Sequence, residues 1–225
     1  MGETLTRHVC RKLTETGWED AEQTLVSESA LTITVNGVEV AVLNCTPADP
    51  EELVTGYLLT AGVIQSAAQI LLIDADFKKG CANVQVIALP QAEKPKAEPV
   101  SWTAENIWKL HQYVVQDAPR NRGSHSTHSC TLLLDGEIVC CREDVGRHNA
   151  IDRAVGWAAQ RKIPLSRCIA FFSGRISAEA VRKLHEAGVQ VLCAKALPTE
   201  QAAQLAAKFG MTLLHCSERR GILQF

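Results

Sequence analysis

The chain predicts an α/β fold: a three-layer α/β/α sandwich preceded by a smaller N-terminal α+β subdomain. From residue 128 onward, short apolar runs of strand length alternate with helical patterns, which implies parallel crossovers and a sheet covered on both faces. Residues 31–89 read instead as two strand pairs around one helix. Between these regions lies PQAEKPKAEPVSW (90–102), whose three prolines and interspersed Lys and Glu give it the composition of an extended surface linker. The expected organisation is a leading arm (1–30), a small subdomain (31–90), a linker (91–102) and a main domain (103–225).

Residues 1–30 are polar and weakly patterned, so no element is assigned there. Leu31–Val35 alternates like a half-buried strand, and Asn36-Gly37 is a two-residue hairpin turn into Val38–Leu43. Pro47, Pro50, Glu51 and Glu52 mark a helix start; Leu53, Tyr57, Leu58 and Ala61 give it an apolar face, and Gly62 ends it. A further strand pair is expected at 70–74 and 83–89, joined through Lys78-Lys79-Gly80-Cys81. A helix over 103–117 buries Ile107, Leu110 and Val114. A hairpin at 128–142 turns on Asp135-Gly136. Helices at 149–160, 177–187 and from Thr199 to Gly210 then alternate with strands at 168–172, 189–194 and 211–215.

A formal charge of −2 supplies no global basic field, so nucleic acid is not an expected partner, and anion binding must come from a local patch. No apolar stretch reaches membrane-spanning length, and MGETLTRHVC lacks a secretory apolar core, so a cytoplasmic location is expected. Nine scattered cysteines, without that secretory context, read as reduced thiols and not as a disulfide framework.

The densest chemistry lies in Glu143-Asp144-Val145-Gly146-Arg147-His148-Asn149-Ala150, at a strand-to-helix turn. Backbone N–H groups of the new helix beside Arg147 and His148 suit an anion such as phosphate. The alternative is a plain capped turn, with Asn149 as N-cap. Ser173-Gly174-Arg175 repeats the arrangement after another apolar strand, and ligands of open α/β sheets gather at such strand ends. The two Gly-Arg turns are therefore expected to share one anion pocket. Neither a P-loop nor a dinucleotide fingerprint is present.

In the 128–142 hairpin, a two-residue turn pairs Cys130 with Cys141 and Thr131 with Cys140, and puts His128, Cys130 and Cys141 on one face. A metal site lacks a fourth ligand and CxxC pairs, so none is expected. Core thiols are the expectation, with one reactive where His128 or Arg147 lowers its pKa. The turns also lack the Glu and PCxxC of zinc deaminases, so no catalytic zinc is expected. His111 and His185 are expected at the surface, and Arg120, Arg122, Arg219 and Arg220 as solvated charges.

EDVGRHNAIDRAVG (143–156), SGRISAEAV (173–181), ALPTEQAAQLA (196–206) and VNGVEVAVLNCTPADPEELVTGYLLTAGVI (35–64) resemble the FdhD/NarQ family, accessory proteins of molybdenum-dependent formate dehydrogenases. The resemblance implies a cytidine-deaminase-like α/β/α scaffold and a homodimer. It further implies a sulfurtransferase that takes sulfur from a cysteine desulfurase and passes it to the molybdenum bis-guanine-dinucleotide cofactor. By motif, His128, Asp144, Gly146, Arg147, His148, Asn149, Ser173, Gly174 and Arg175 would bind that cofactor or a guanine nucleotide. Two departures matter. Ser124–Ser126 replace a Thr-Gly-Gly turn, and the family's CxxC, which bears the persulfide, is absent. Residues 75–102 offer only Cys81. Cys81, Cys130 and Cys141 are thus the catalytic candidates, with Cys140 as a further hairpin thiol. The alternative is a chaperone-like paralogue that binds cofactor or nucleotide without transferring sulfur.

Overall fold

The structure is a computed structural model that describes residues 4–88, 100–117 and 126–225. The 91–102 linker falls largely outside the described residues, as do Arg120 and Arg122.

The chain opens with a two-stranded antiparallel ribbon, β1 (Leu5–Thr14) and β2 (Gly17–Val26). Sequence reading gives no element here because the pattern of a half-buried strand is missing: nearly every ribbon residue is exposed. A four-stranded sheet follows, from β3 (Ser29–Val35), β4 (Val38–Cys45), β5 (Ile70–Asp76) and β6 (Cys81–Val86), ordered β4-β3-β6-β5. Asn36 and Gly37 both take positive φ, 48° and 83°, as the two-residue turn requires. Helix α1 (Pro50–Thr60) starts with its proline in the first turn. It buries Leu53, Val54 and Leu58 against Leu31, Ile33 and Val84 of the sheet.

The second unit holds α2 (Ala104–Gln112), β7 (His128–Leu134), β8 (Glu137–Asp144), α3 (Arg147–Gln160), β9 (Cys168–Phe172) and α4 (Ala178–Glu186). It closes with β10 (Val191–Ala194), α5 (Glu200–Phe209), β11 (Thr212–Ser217) and β12 (Gly221–Gln224). The six strands are ordered β12-β11-β10-β9-β7-β8. β9, β10 and β11 run parallel, as crossovers through α4 and α5 demand, whereas β7 is antiparallel to both its neighbours. One sheet face packs under Ile151, Val155, Val181, Leu184, Ala202 and Ala206 of the three later helices. The other packs against Ile107, Leu110 and Val114. The fold is mixed α/β.

The two units meet along α1 and α3, where backbones touch. A Cβ on Gly56 would lie 1.7 Å from the Asp152 carbonyl oxygen, and one on Gly156 would lie 1.8 Å from that of Glu52. Beside this crossing, Lys183 Nζ donates to both Asp152 carboxylate oxygens at 2.9 Å and to Thr60 Oγ1 at 3.1 Å, so one buried cation ties α4 to α3 and α1.

Several expectations need correction. The β7–β8 register slips by one residue at a bulge between Leu132 and Leu133, so Cys130 lies opposite Arg142 and Thr131 opposite Cys141. A single extra residue inverts the facing of everything beyond it. Cys140, not Cys141, therefore joins Cys130 in the core beneath α3. Helix α3 begins at Arg147 with Gly146 as its cap residue, because the Asn149 side chain is engaged elsewhere. His111 is buried, edge-on to Trp108 and Phe171, and is not a surface residue. His185 is half-buried, stacked on Phe209 at 3.9 Å.

Candidate functional site

Asp144 ends β8 fully buried and collects four donors. Arg153 Nε donates to Oδ2 at 2.6 Å and the Thr46 amide at 3.2 Å; the Gly146 amide and Asn149 Nδ2 donate to Oδ1 at 2.8 and 3.1 Å. Asn149 also donates to the Asn44 carbonyl at 2.7 Å, and the Arg153 guanidinium reaches the Thr46 and Ala48 carbonyls, each at 2.5 Å. A buried carboxylate needs such pairing. Asp144 and Asn149 thus shape the turn and clamp the 44–49 loop onto it. Asp49, held at φ 36° directly before Pro50, shows how tightly that loop is constrained.

The turn leaves Arg147 exposed at the start of α3. Arg175 is likewise exposed, just before Ser177 caps α4 by accepting from the Ala180 amide at 3.3 Å. Ser173 is structural, since its Oγ accepts from the Ser129 amide at 2.8 Å and its own amide donates to the Ser129 carbonyl at 2.9 Å. At Gly174 a Cβ would lie 2.6 Å from the Phe172 ring, and at Gly146 one would lie 2.5 Å from Asn149 Nδ2. Both glycines are thus fixed by close approach.

Placing the two Gly-Arg turns in one pocket assumes neighbouring strands, and the structure corrects this: β7 separates β8 from β9, which sets the turns about 10 Å apart. His128, at the start of β7 opposite Asp144, occupies the gap. His148 bridges the two helix starts, with Nδ1 3.2 Å from Glu179 Oε2 and Nε2 3.4 Å from Ser177 Oγ. Burial lowers its pKa, and Glu179 acts in the opposite direction. The outcome is an edge with two exposed arginines and two helix N-termini, with Glu179 as an acid in the first turn of α4.

Sequence reading did not single out Arg153, Thr46 or Glu179, whereas Ser177 is the helix cap that its position after Arg175 leads one to expect. Arg153 carried a usable signal, because it interrupts the otherwise apolar helix face formed by Ala150, Ile151, Ala154 and Val155. Thr46, a hundred residues upstream, carried none.

The cysteines divide by burial. Cys130 is fully enclosed and its thiol is pushed far up by burial; Cys140 is pushed up to about 12 by the same cause. Cys45 is raised to about 12 by burial and the Asp144 charge. Such thiols stay protonated and poorly nucleophilic. Cys141 and Cys81 are half-buried. Cys81 starts β6, and the β6-β3-β4 order places it at the sheet end where β4 runs into the clamped 44–49 loop. Among the described residues, no group of three or more His, Cys, Asp or Glu could hold a metal ion, and no helix is long and apolar enough to cross a membrane. A cavity of about 1090 Å³ lined by Leu59, Ile163, His185, Phe209 and Met211 lies at the opposite end of α3 and contains none of the candidate residues.

The scaffold defines a mixed α/β protein whose candidate site is a strand edge carrying two helix starts and two exposed arginines. The sequence model of the FdhD/NarQ family matches residues 26–99 and 77–223, and the chain belongs to that family. It is 29% identical over 223 residues to the sulfur carrier protein FdhD of Geobacillus kaustophilus, covering 87% of this chain and 85% of the relative. With the sulfur carrier protein FdhD of Mycobacterium tuberculosis it shares 28% identity over 236 residues, covering 85% and 86%. The crystal structure of a Desulfotalea psychrophila protein described as a formate dehydrogenase accessory protein superposes with a TM-score of 0.83. Identity to that protein is 22%, with coverage of 99% of this chain and 96% of the other.

Proposed function

We propose that this chain is a cytoplasmic, homodimeric accessory protein of formate dehydrogenase maturation. It binds the molybdenum bis-guanine-dinucleotide cofactor and carries sulfur to it from a cysteine desulfurase. The observation that carries this reading is the pair of exposed arginines at two helix starts on one sheet edge, a donor set suited to the pyrophosphate groups of a dinucleotide. The relatives' names supply the sulfur and the formate dehydrogenase.

Guanosine diphosphate is the practical probe. Arg147→Ala and Arg175→Ala each remove a charge-assisted contact, so each is expected to weaken its binding about tenfold or more in calorimetry. Unchanged affinity in both variants would remove the two-turn site.

Sulfur transfer requires a thiolate. Of the candidates, Cys81 is only half-buried and starts β6 at the sheet end where β4 runs into the clamped loop. Its thiolate would attack the terminal sulfur of the desulfurase persulfide; the S–S bond breaks, the desulfurase thiolate leaves, and Cys81 carries the new persulfide. After incubation with a cysteine desulfurase and cysteine, mass spectrometry is expected to find about 32 Da added at Cys81, and none in Cys81→Ser. The absence of CxxC favours a second reading, a chaperone-like paralogue that binds cofactor without transfer, and an unmodified wild-type chain would select it.

A further inference from the structure

The β1–β2 ribbon stands apart from both folded units. Among the described residues its strands pair only with each other, and neither sheet continues into it. A lone two-stranded ribbon is marginal in water and leaves both edges unpaired. Yet this one exposes Val9, Leu13 and Trp18 at 77%, 63% and 58%. The pairing puts Leu5, Val9 and Leu13 on the same face as Trp18 and Val26. An apolar stripe of this kind on an unsupported element marks a contact surface.

The charges on that face indicate what covers it. β1 contributes Arg7 and Arg11 to the face and no acid; β2 contributes Asp20 and Glu22 and no Lys or Arg. One edge of the ribbon is therefore basic and the other acidic. When two copies meet face to face, a two-fold axis across the strands would lay β1 on β1, arginine against arginine. An axis along the strands lays β1 on β2, bringing Arg11 of one copy over Asp20 of the other and Leu13 over Trp18. The surface is self-complementary in that one arrangement, as an isologous interface requires. A second copy is also the one partner present whenever the chain is, which suits an element that lacks support of its own.

We propose that the β1–β2 ribbon docks face to face on the same ribbon of a second copy, about a two-fold axis parallel to the strands. This rests on the homodimer reading above and assigns the surface that makes the dimer.

Charge exchange tests it. Chains carrying Arg7→Glu with Arg11→Glu present two acidic edges, and chains carrying Asp20→Lys with Glu22→Lys present two basic ones. In sedimentation velocity the wild type is expected to run as a dimer, each variant alone as a monomer, and an equimolar mixture as a dimer again. Thermal unfolding of the body should match wild type in both, since the ribbon packs on neither core. Variants that dimerise alone, or a mixture of folded variants that stays monomeric, would overturn the ribbon interface and leave the homodimer reading intact. A monomeric wild type would remove both.

Discussion

Gly56→Ala and Gly156→Ala are each expected to destabilise the protein by about 3 kcal/mol or more, beyond the usual cost of overpacking because the obstacle is backbone. Each added methyl would sit under 2 Å from a carbonyl oxygen of the facing helix. No rotamer change relieves such a clash, so α1 and α3 must separate. Separation also pulls Thr60 away from the buried Asp152–Lys183 pair, leaving two desolvated charges less well satisfied. Burial already raises the Asp152 pKa in spite of Lys183. Urea unfolding of the wild type is expected to be a single transition through both units, and either variant should lower its midpoint sharply or split it in two. A midpoint within experimental error of wild type would show that the helices do not cross this closely.

Guanosine diphosphate affinity in those variants should fall as well. The 44–49 loop belongs to the first unit by chain order, yet it is clamped to the Asp144 turn of the second. The turn that carries Arg147 is therefore held in place by both units.

What the sequence made legible follows from locality. Alternation, turn residues and caps act within a few positions, so α1, α2, α4, α5 and the Asn36-Gly37 turn could be read from residues that touch one another. The two Gly-Arg turns were legible for the same reason. Elements decided at long range were not. The bulge at Leu132/Leu133 overrode a register counted outward from Asp135-Gly136, and no residue type beside it marks the extra position. The order β9-β7-β8 inserts an antiparallel strand between the two turns, and nothing local to either turn announces it. The ribbon escaped because its apolar residues are interleaved with charges and face no core. Asp144 was legible as a site residue, but its role was not, since that role depends on Arg153 and on Thr46 from the other unit.

Arg153→Ala is expected to cost about 3–5 kcal/mol, the range for removing one partner of a buried ion pair. Asp144 would keep three neutral donors but lose its counter-charge, and the Thr46 and Ala48 carbonyls would lose the cation that holds them. Asp144→Ala should cost a similar amount, because Arg153 then lies buried without a carboxylate. If the two residues act as one clamp, the double variant should be hardly less stable than either single, a coupling about as large as one single loss, roughly 3 kcal/mol or more, in a double-mutant cycle; simple additivity would show two independent contacts. The cycle can be run a second time with guanosine diphosphate affinity as the readout. Both side chains are buried, so a loss of affinity is expected to pass through the turn: Gly146 loses the acceptor for its amide, and Arg147 loses its fixed position at the start of α3. Coupling in stability accompanied by coupling in affinity would assign the clamp to preorganisation of the anion edge. Coupling in stability with unchanged affinity would confine it to holding the two units together.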